Sequence, residues 1–255
     1  MKPTVTPVVL LLLLLACFAL GVVSALVRNP QAEVTPSPSA DASLATPGSA
    51  QTTILILGTD DMQAADQTLM AIWYASFRHP GREVFLLGVP TDIQVPGDPP
   101  IPVATLFRCS PDQGADPTFL VALNQAVPLP PSFVLCLDRQ AFSALVDYLG
   151  GLDLSGTRLD GAQTIAVLDL LMDDPASLLA TQSRVLEAMA ERAPLIGGTP
   201  DLTPLIALIP DHAYLSIPAN EAAALAAPLL PISPATTHID IPTYVEPSEA
   251  TPPAP

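Results

Sequence analysis

Apolar residues enter this chain in two ways, first as one unbroken run and then as short runs punctuated by Gly, Pro and Asp. The unbroken run covers residues 8–27, interrupted only by Gly21 and Ser24 and closed by Arg28. Twenty such residues form a helix long enough to cross ~30 Å of hydrocarbon. A core helix of that length would carry a polar stripe, and none is present. Leu14-Leu15-Ala16-Cys17 resembles a lipoprotein cleavage box, but the apolar run continues ten residues past Cys17. The apolar region of a cleaved signal peptide is usually only ~7–15 residues, so an uncleaved membrane anchor over residues 1–28 is expected. Residues 29–51 are rich in Pro, Ser, Ala and Thr and lack periodicity, which marks a linker. Residues 52–242 hold the folded domain, and 243–255 form a Pro-rich tail expected to be disordered.

Within the domain, residues 53–57, 67–74 and 83–89 are apolar, β-branched-rich and bounded by turn formers, which predicts three strands. A proline-dense loop over 98–102 leads to a short strand or helix over 103–107. A helix over 117–126 is stopped by Pro128, and a strand follows over 132–137. Asp138 is placed to cap a helix running to Leu149, with Ala141, Phe142, Leu145, Val146 and Leu149 on one face. Gly150 and Gly151 end it, and residues 152–154 read as a strand. Asp160 caps a helix over 162–171, which Asp173-Asp174-Pro175 breaks. A long helix follows over 177–192, and residues 202–209, 215–217 and 220–229 read as helix, strand and helix. Strands alternating with helices predict an α/β domain with a mixed β-sheet sandwiched by helices.

Charge narrows the function. The net charge is −16 and Lys2 is the only lysine, so nucleic acid is excluded as a partner for want of clustered bases. Lys2 favours a cytoplasmic N-terminus and Arg28 opposes it. The later cysteine pair favours an exported domain. Cys17, Cys109 and Cys136 fall in no metal-binding pattern. Cys109 and Cys136 have 26 residues between them and are either a disulfide or two buried thiols.

The candidate chemistry is acidic. Asp60 and Asp61 follow the first strand, Asp66 opens the second and Asp92 follows the third. Such a set is either a hard-cation position or a group of turn formers and caps. His79, His212 and His238 lack the neighbours of a triad and read as surface residues. No glycine-rich phosphate loop is present. Trp73 and Tyr74 read as core, and Arg78 and Arg82 as solvated turn residues opposite the acids.

An apolar N-terminal helix and spacer, a strand ending LGTD, the strand ADQTLM, a strand ending VPTD, then LGGLDL, an LDG-opened helix and TQSRVLEAM occur in that order. This ordered set resembles the LytR-CpsA-Psr (LCP) family of cell-envelope proteins over residues 52–192, with a compatible continuation to about 242. The resemblance implies a single-pass membrane protein with an extracytoplasmic domain that binds a polyprenyl-pyrophosphate lipid between sheet and helices. Active members transfer a glycopolymer from that lipid to the cell wall with Mg²⁺. The family's acids correspond to Asp60, Asp66 and Asp92, the first two as candidate Mg²⁺ ligands.

The family's arginines do not carry over. Met62 and Ala64 stand at two of their positions, Thr91 at a third, Asp169 and Leu171 on the LDG helix, and Leu178 and Thr181 on the next. Between Arg158 and Arg184 no basic residue occurs. A pyrophosphate diester carries about two negative charges, and desolvating them without charge-assisted donors is costly. Losing a single well-placed donor costs ~3 kcal/mol of barrier. The expectation is a catalytically degenerate member, with polyprenyl-phosphate lipid and a cell-wall polymer as candidate partners. Two other readings stay open: an active transferase with a rearranged cationic site using Arg108, Arg158 or Arg184, and a non-enzymatic envelope scaffold.

Overall fold

The computed structural model describes residues 51–78, 83–193, 208–218, 221 and 234–242. The expected anchor, most of the linker, the turn with His79 and Arg82, the helices over 202–209 and 220–229 in all but their ends, and the tail lie outside the described residues.

Six strands form one mixed sheet in the order β11-β8-β1-β2-β3-β12. β1 (Gln51–Thr59) lies at its centre. It pairs antiparallel with β2 (Leu69–Arg78) and parallel with β8 (Phe133–Asp138). β3 (Val84–Val89) continues antiparallel from β2 and carries β12 (Thr237–Asp240) in parallel, while β11 (Ala213–Leu215) flanks β8 antiparallel. The expected fold class of mixed sheet and helices is what the chain adopts. β2 starts at Leu69 rather than at residue 67, because Gln67 and Thr68 are used by the preceding loop. The strand expected over 215–217 lies at Ala213–Leu215 instead.

Strand alternation gives the sheet two different faces. On one face Leu55, Leu57, Ile72, Tyr74 and Cys136 are almost fully buried. They meet Val103, Phe107, Phe119 and Leu123 in the main core. These come from a layer containing the β4–β5 hairpin (Gln94–Val95, Ile101–Pro102), a 3₁₀ turn (Val103–Leu106), the β6–β7 hairpin (Cys109–Ser110, Gly114–Ala115) and α1 (Pro117–Ala126). The region expected as strand or helix over 103–107 is therefore helical. Burial pushes the Tyr74 hydroxyl up to about 12. Cys109 and Cys136 form a disulfide that ties this layer to β8.

The other face is helical. α2 (Arg139–Tyr148) is capped by Asp138, whose carboxylate accepts from the Ala141 amide. Gly150 and Gly151 end it with φ of 76° and 84°, the left-handed region open to glycine. The β9–β10 hairpin (Leu152–Leu154, Thr157–Leu159) leads to α3 (Gly161–Asp169), which Asp160 and Gln163 close with a capping box. α4 (Pro175–Arg192) starts on Asp174 and packs on the sheet. Trp73 Nε1 donates to Gln182 Oε1 at 3.0 Å, and Gln182 Nε2 donates to the Met70 carbonyl at 2.8 Å. Gly88 permits this closeness, since a Cβ there would fall 2.7 Å from Leu179 Cδ1 and 2.8 Å from Trp73 Cη2.

The acidic end of the sheet

Because β1, β3 and β8 run in the same direction, their C-terminal ends share one end of the sheet. β2 and β11 begin there. Asp60 follows β1, Asp66 precedes β2, Asp92 follows β3, and Asp138 ends β8. The topology thus brings Asp60, Asp66 and Asp92 to one end, and adds Asp138 and Asp240, which ends β12 parallel to β3. Arg78 ends β2 opposite Gln51, at the far end, as expected.

Their local roles differ. Asp60 organises the β1–β2 connection. Its Oδ1 accepts from the amides of Thr68 (2.8 Å) and Asp61 (2.9 Å) and from Thr59 Oγ1 (3.1 Å). Partial burial works to raise its carboxyl, but the Thr68 and Asp61 hydrogen bonds outweigh that and hold it below its ordinary value. Within the same loop Met62 is buried in the main core. Gln67 clamps the loop to β6, with Nε2 on the Met62 and Cys109 carbonyls (2.9 and 2.7 Å) and Oε1 accepting from the Cys109 amide (2.7 Å). Asp66 and Asp92 are exposed.

Asp138, only 3% exposed, is the buried member of the group. One oxygen caps α2 and the other meets His212 Nδ1 at 2.7 Å. His212 ends the four-residue helix α5 (Ile209–His212) and is therefore not the solvated surface residue expected from sequence. His238 is exposed and stacks on Phe85 with ring centroids 4.8 Å apart.

Arg139 brings a guanidinium to this end. Arg139, the first residue of α2, places Nη2 2.6 Å from Asp169 Oδ1 and Nε 3.2 Å from Met70 Sδ. Among the described residues none of the three arginines named for a rearranged site pairs with Asp60, Asp66 or Asp138. Arg108 donates to the Phe107 carbonyl, Arg158 binds the Gly150 carbonyl and Asp153, and Arg184 is exposed on α4. Arg139 lies at none of the positions where the family carries arginine, so motif matching passes over it. The sequence signal for it is its place directly after a strand-ending acid.

Among the described residues no three His, Cys, Asp or Glu side chains gather closely enough to hold a metal ion. The acids alone do not fit a metal cage, and Asp60 Oδ1 is already engaged by three donors. Mg²⁺ commonly binds through one or two carboxylates plus substrate phosphates, so an ion at Asp60 and Asp66 would arrive with a phosphate ligand.

On the helical face burial is uneven, with Trp73, Ala75, Phe77 and Phe133 buried and four central positions less so. Along β1, Leu55 and Leu57 are 1% and 0% exposed, whereas Ile54 and Ile56 on the helical side are half-buried. Leu135 and Leu137 of β8, in register with Ile56 and Gly58, are half-buried too. An apolar strip thus runs along the central strands towards the end where Arg139 and the acids stand.

No family model matches the chain, and no curated protein matches it. Solved structures do. A LytR-Csp2A-Psr enzyme from Actinomyces oris superposes with a TM-score of 0.59 at 19% identity, covering 83% of this chain and 89% of that one. TagT from B. subtilis gives 0.55 at 16% identity, covering 82% and 85%. A structure of TagT bound to LIIa-WTA gives 0.56 at 15% identity, covering 79% and 82%. The chain has the LCP fold.

Proposed function

We propose that this chain is an envelope protein of the LCP fold that holds a polyprenyl lipid against its helical face but does not transfer a glycopolymer from it. The supporting observation is the pairing of two features at one place. A half-buried apolar strip leads to a sheet end rich in acids, where the Arg139 guanidinium is already matched by Asp169.

An isoprenoid chain is held by apolar area alone, at roughly 25 cal/mol per Å² removed from water. Ile54, Ile56, Leu135 and Leu137 supply such area irrespective of charge. The pyrophosphate is different. In phosphoryl transfer, catalysis consists mainly of positioning and of neutralising charge that spreads over the phosphoryl oxygens. Asp60, Asp66, Asp92 and Asp138 oppose that charge, and Arg139, already paired with Asp169, does not offset them.

On this reading the N-terminal apolar run tethers the domain to the cell membrane, with the domain extracytoplasmic and the linker as spacer. The partners are the membrane, a polyprenyl-phosphate lipid and, through it, a cell-wall polymer. Native mass spectrometry of the full chain from a bacterial membrane, purified in mild detergent, tests the binding half. A bound mass equal to a polyprenyl phosphate or pyrophosphate is expected. Protein that is lipid-free after gentle extraction overturns it.

A further inference from the structure

We propose that Asp169 is a built-in counter-anion occupying a phosphate-binding group, Arg139, and that removing its charge opens a phosphate site at the acidic end. This deepens the lipid-holding reading and rests on it for the identity of the phosphate's carrier.

Arg139 is positioned as an anion receptor would be. It begins α2, where the helix dipole favours negative charge. Its guanidinium is steadied by Met70 Sδ at 3.2 Å on the neighbouring part of the sheet. Among the described residues nothing accepts from its Nη1. Its one anionic partner comes from α3, thirty residues away in sequence, through a single contact of 2.6 Å. Asp138, the next acid along, is committed to the Ala141 amide and to His212.

The contact is also displaceable. The Arg139 and Asp169 side chains are 38% and 37% exposed, so solutes reach the pair. Exposed single-contact ion pairs are weakly held. A phosphate offers more charge and a bidentate match to the guanidinium fork, which a lone carboxylate oxygen does not. Asp169 therefore acts as a resident competitor: it neutralises Arg139 in the free protein and sets the concentration of phosphate needed to take its place.

Binding of inorganic pyrophosphate and of farnesyl pyrophosphate to the full chain at one fixed detergent concentration tests this. The proteins are wild type, Asp169→Asn, Asp169→Ala, and Asp169→Asn combined with Arg139→Gln. Thermal unfolding confirms that each is folded, and either single variant suffices. Removing the competing charge is expected to tighten pyrophosphate binding by about two- to fivefold, and Arg139→Gln in the same chain is expected to abolish the gain. Unchanged binding in the folded Asp169 variants, or a gain that survives Arg139→Gln, overturns the proposal. The farnesyl arm separates it from the lipid reading. A larger gain for farnesyl pyrophosphate supports both. Equal gains keep the phosphate site and count against the lipid as carrier.

Discussion

Asp60 shows how one side chain at this end can be structural before it is chemical. Its oxygen gathers three donors and closes the β1–β2 connection. Replacing it with Ala strands two backbone amides, and a loss of ~1–2 kcal/mol in denaturant unfolding at neutral pH is expected. The sign of the pH dependence follows from its lowered carboxyl. The contribution is complete above the ordinary carboxylate range and is lost as pH falls through the lowered value. The stability difference between wild type and Asp60→Ala should therefore begin to shrink only as pH falls below about 4. Gln182 is the other decisive single residue. It is buried and satisfies both Trp73 Nε1 and the Met70 carbonyl. Gln182→Leu keeps the volume but leaves both partners without a bond, so a loss of ~2–3 kcal/mol is expected in the same measurement. A loss below a few tenths would show that other groups take up these partners.

At the scale of elements, much was legible and the rest was hidden for identifiable reasons. Local signals worked where the physics is local. Asp138 and Asp160 cap helices because short acids followed by amphipathic runs do so, and Gly150 and Gly151 end α2 because only glycine enters that region freely. Contacts between distant segments left no such trace. His212 meets Asp138 across 74 residues and Gln67 clamps Cys109 across 42. The strand expected from residue 67 starts at 69 because that clamp diverts its first residues. The cysteines were undecided from sequence because burial and bonding predict the same apolar setting, and the structure bonds them. That link closes a loop of about 27 residues, so a Cys109→Ser/Cys136→Ser chain should be less stable by ~3–4 kcal/mol. Thermal unfolding of the oxidised wild type beside the double variant measures it.

For the whole molecule, the LCP fold is present, and the function proposed above rests on the excess of acids over arginines at one end of its sheet. The three acids expected from sequence do share that end, through strand direction alone. The arginine that joins them, Arg139, comes from a position outside the family pattern and is paired with Asp169 while staying partly exposed. On the proposed reading fold and chemistry part company, as scaffolds and the sites grafted on them can. The most direct test is turnover by the full chain given a lipid-linked saccharide, Mg²⁺ and wall acceptor, with released polyprenyl phosphate measured over time. Release at the level of the protein-free control is predicted. Release at the rate of an active LCP-fold transferase assayed alongside would contradict the account.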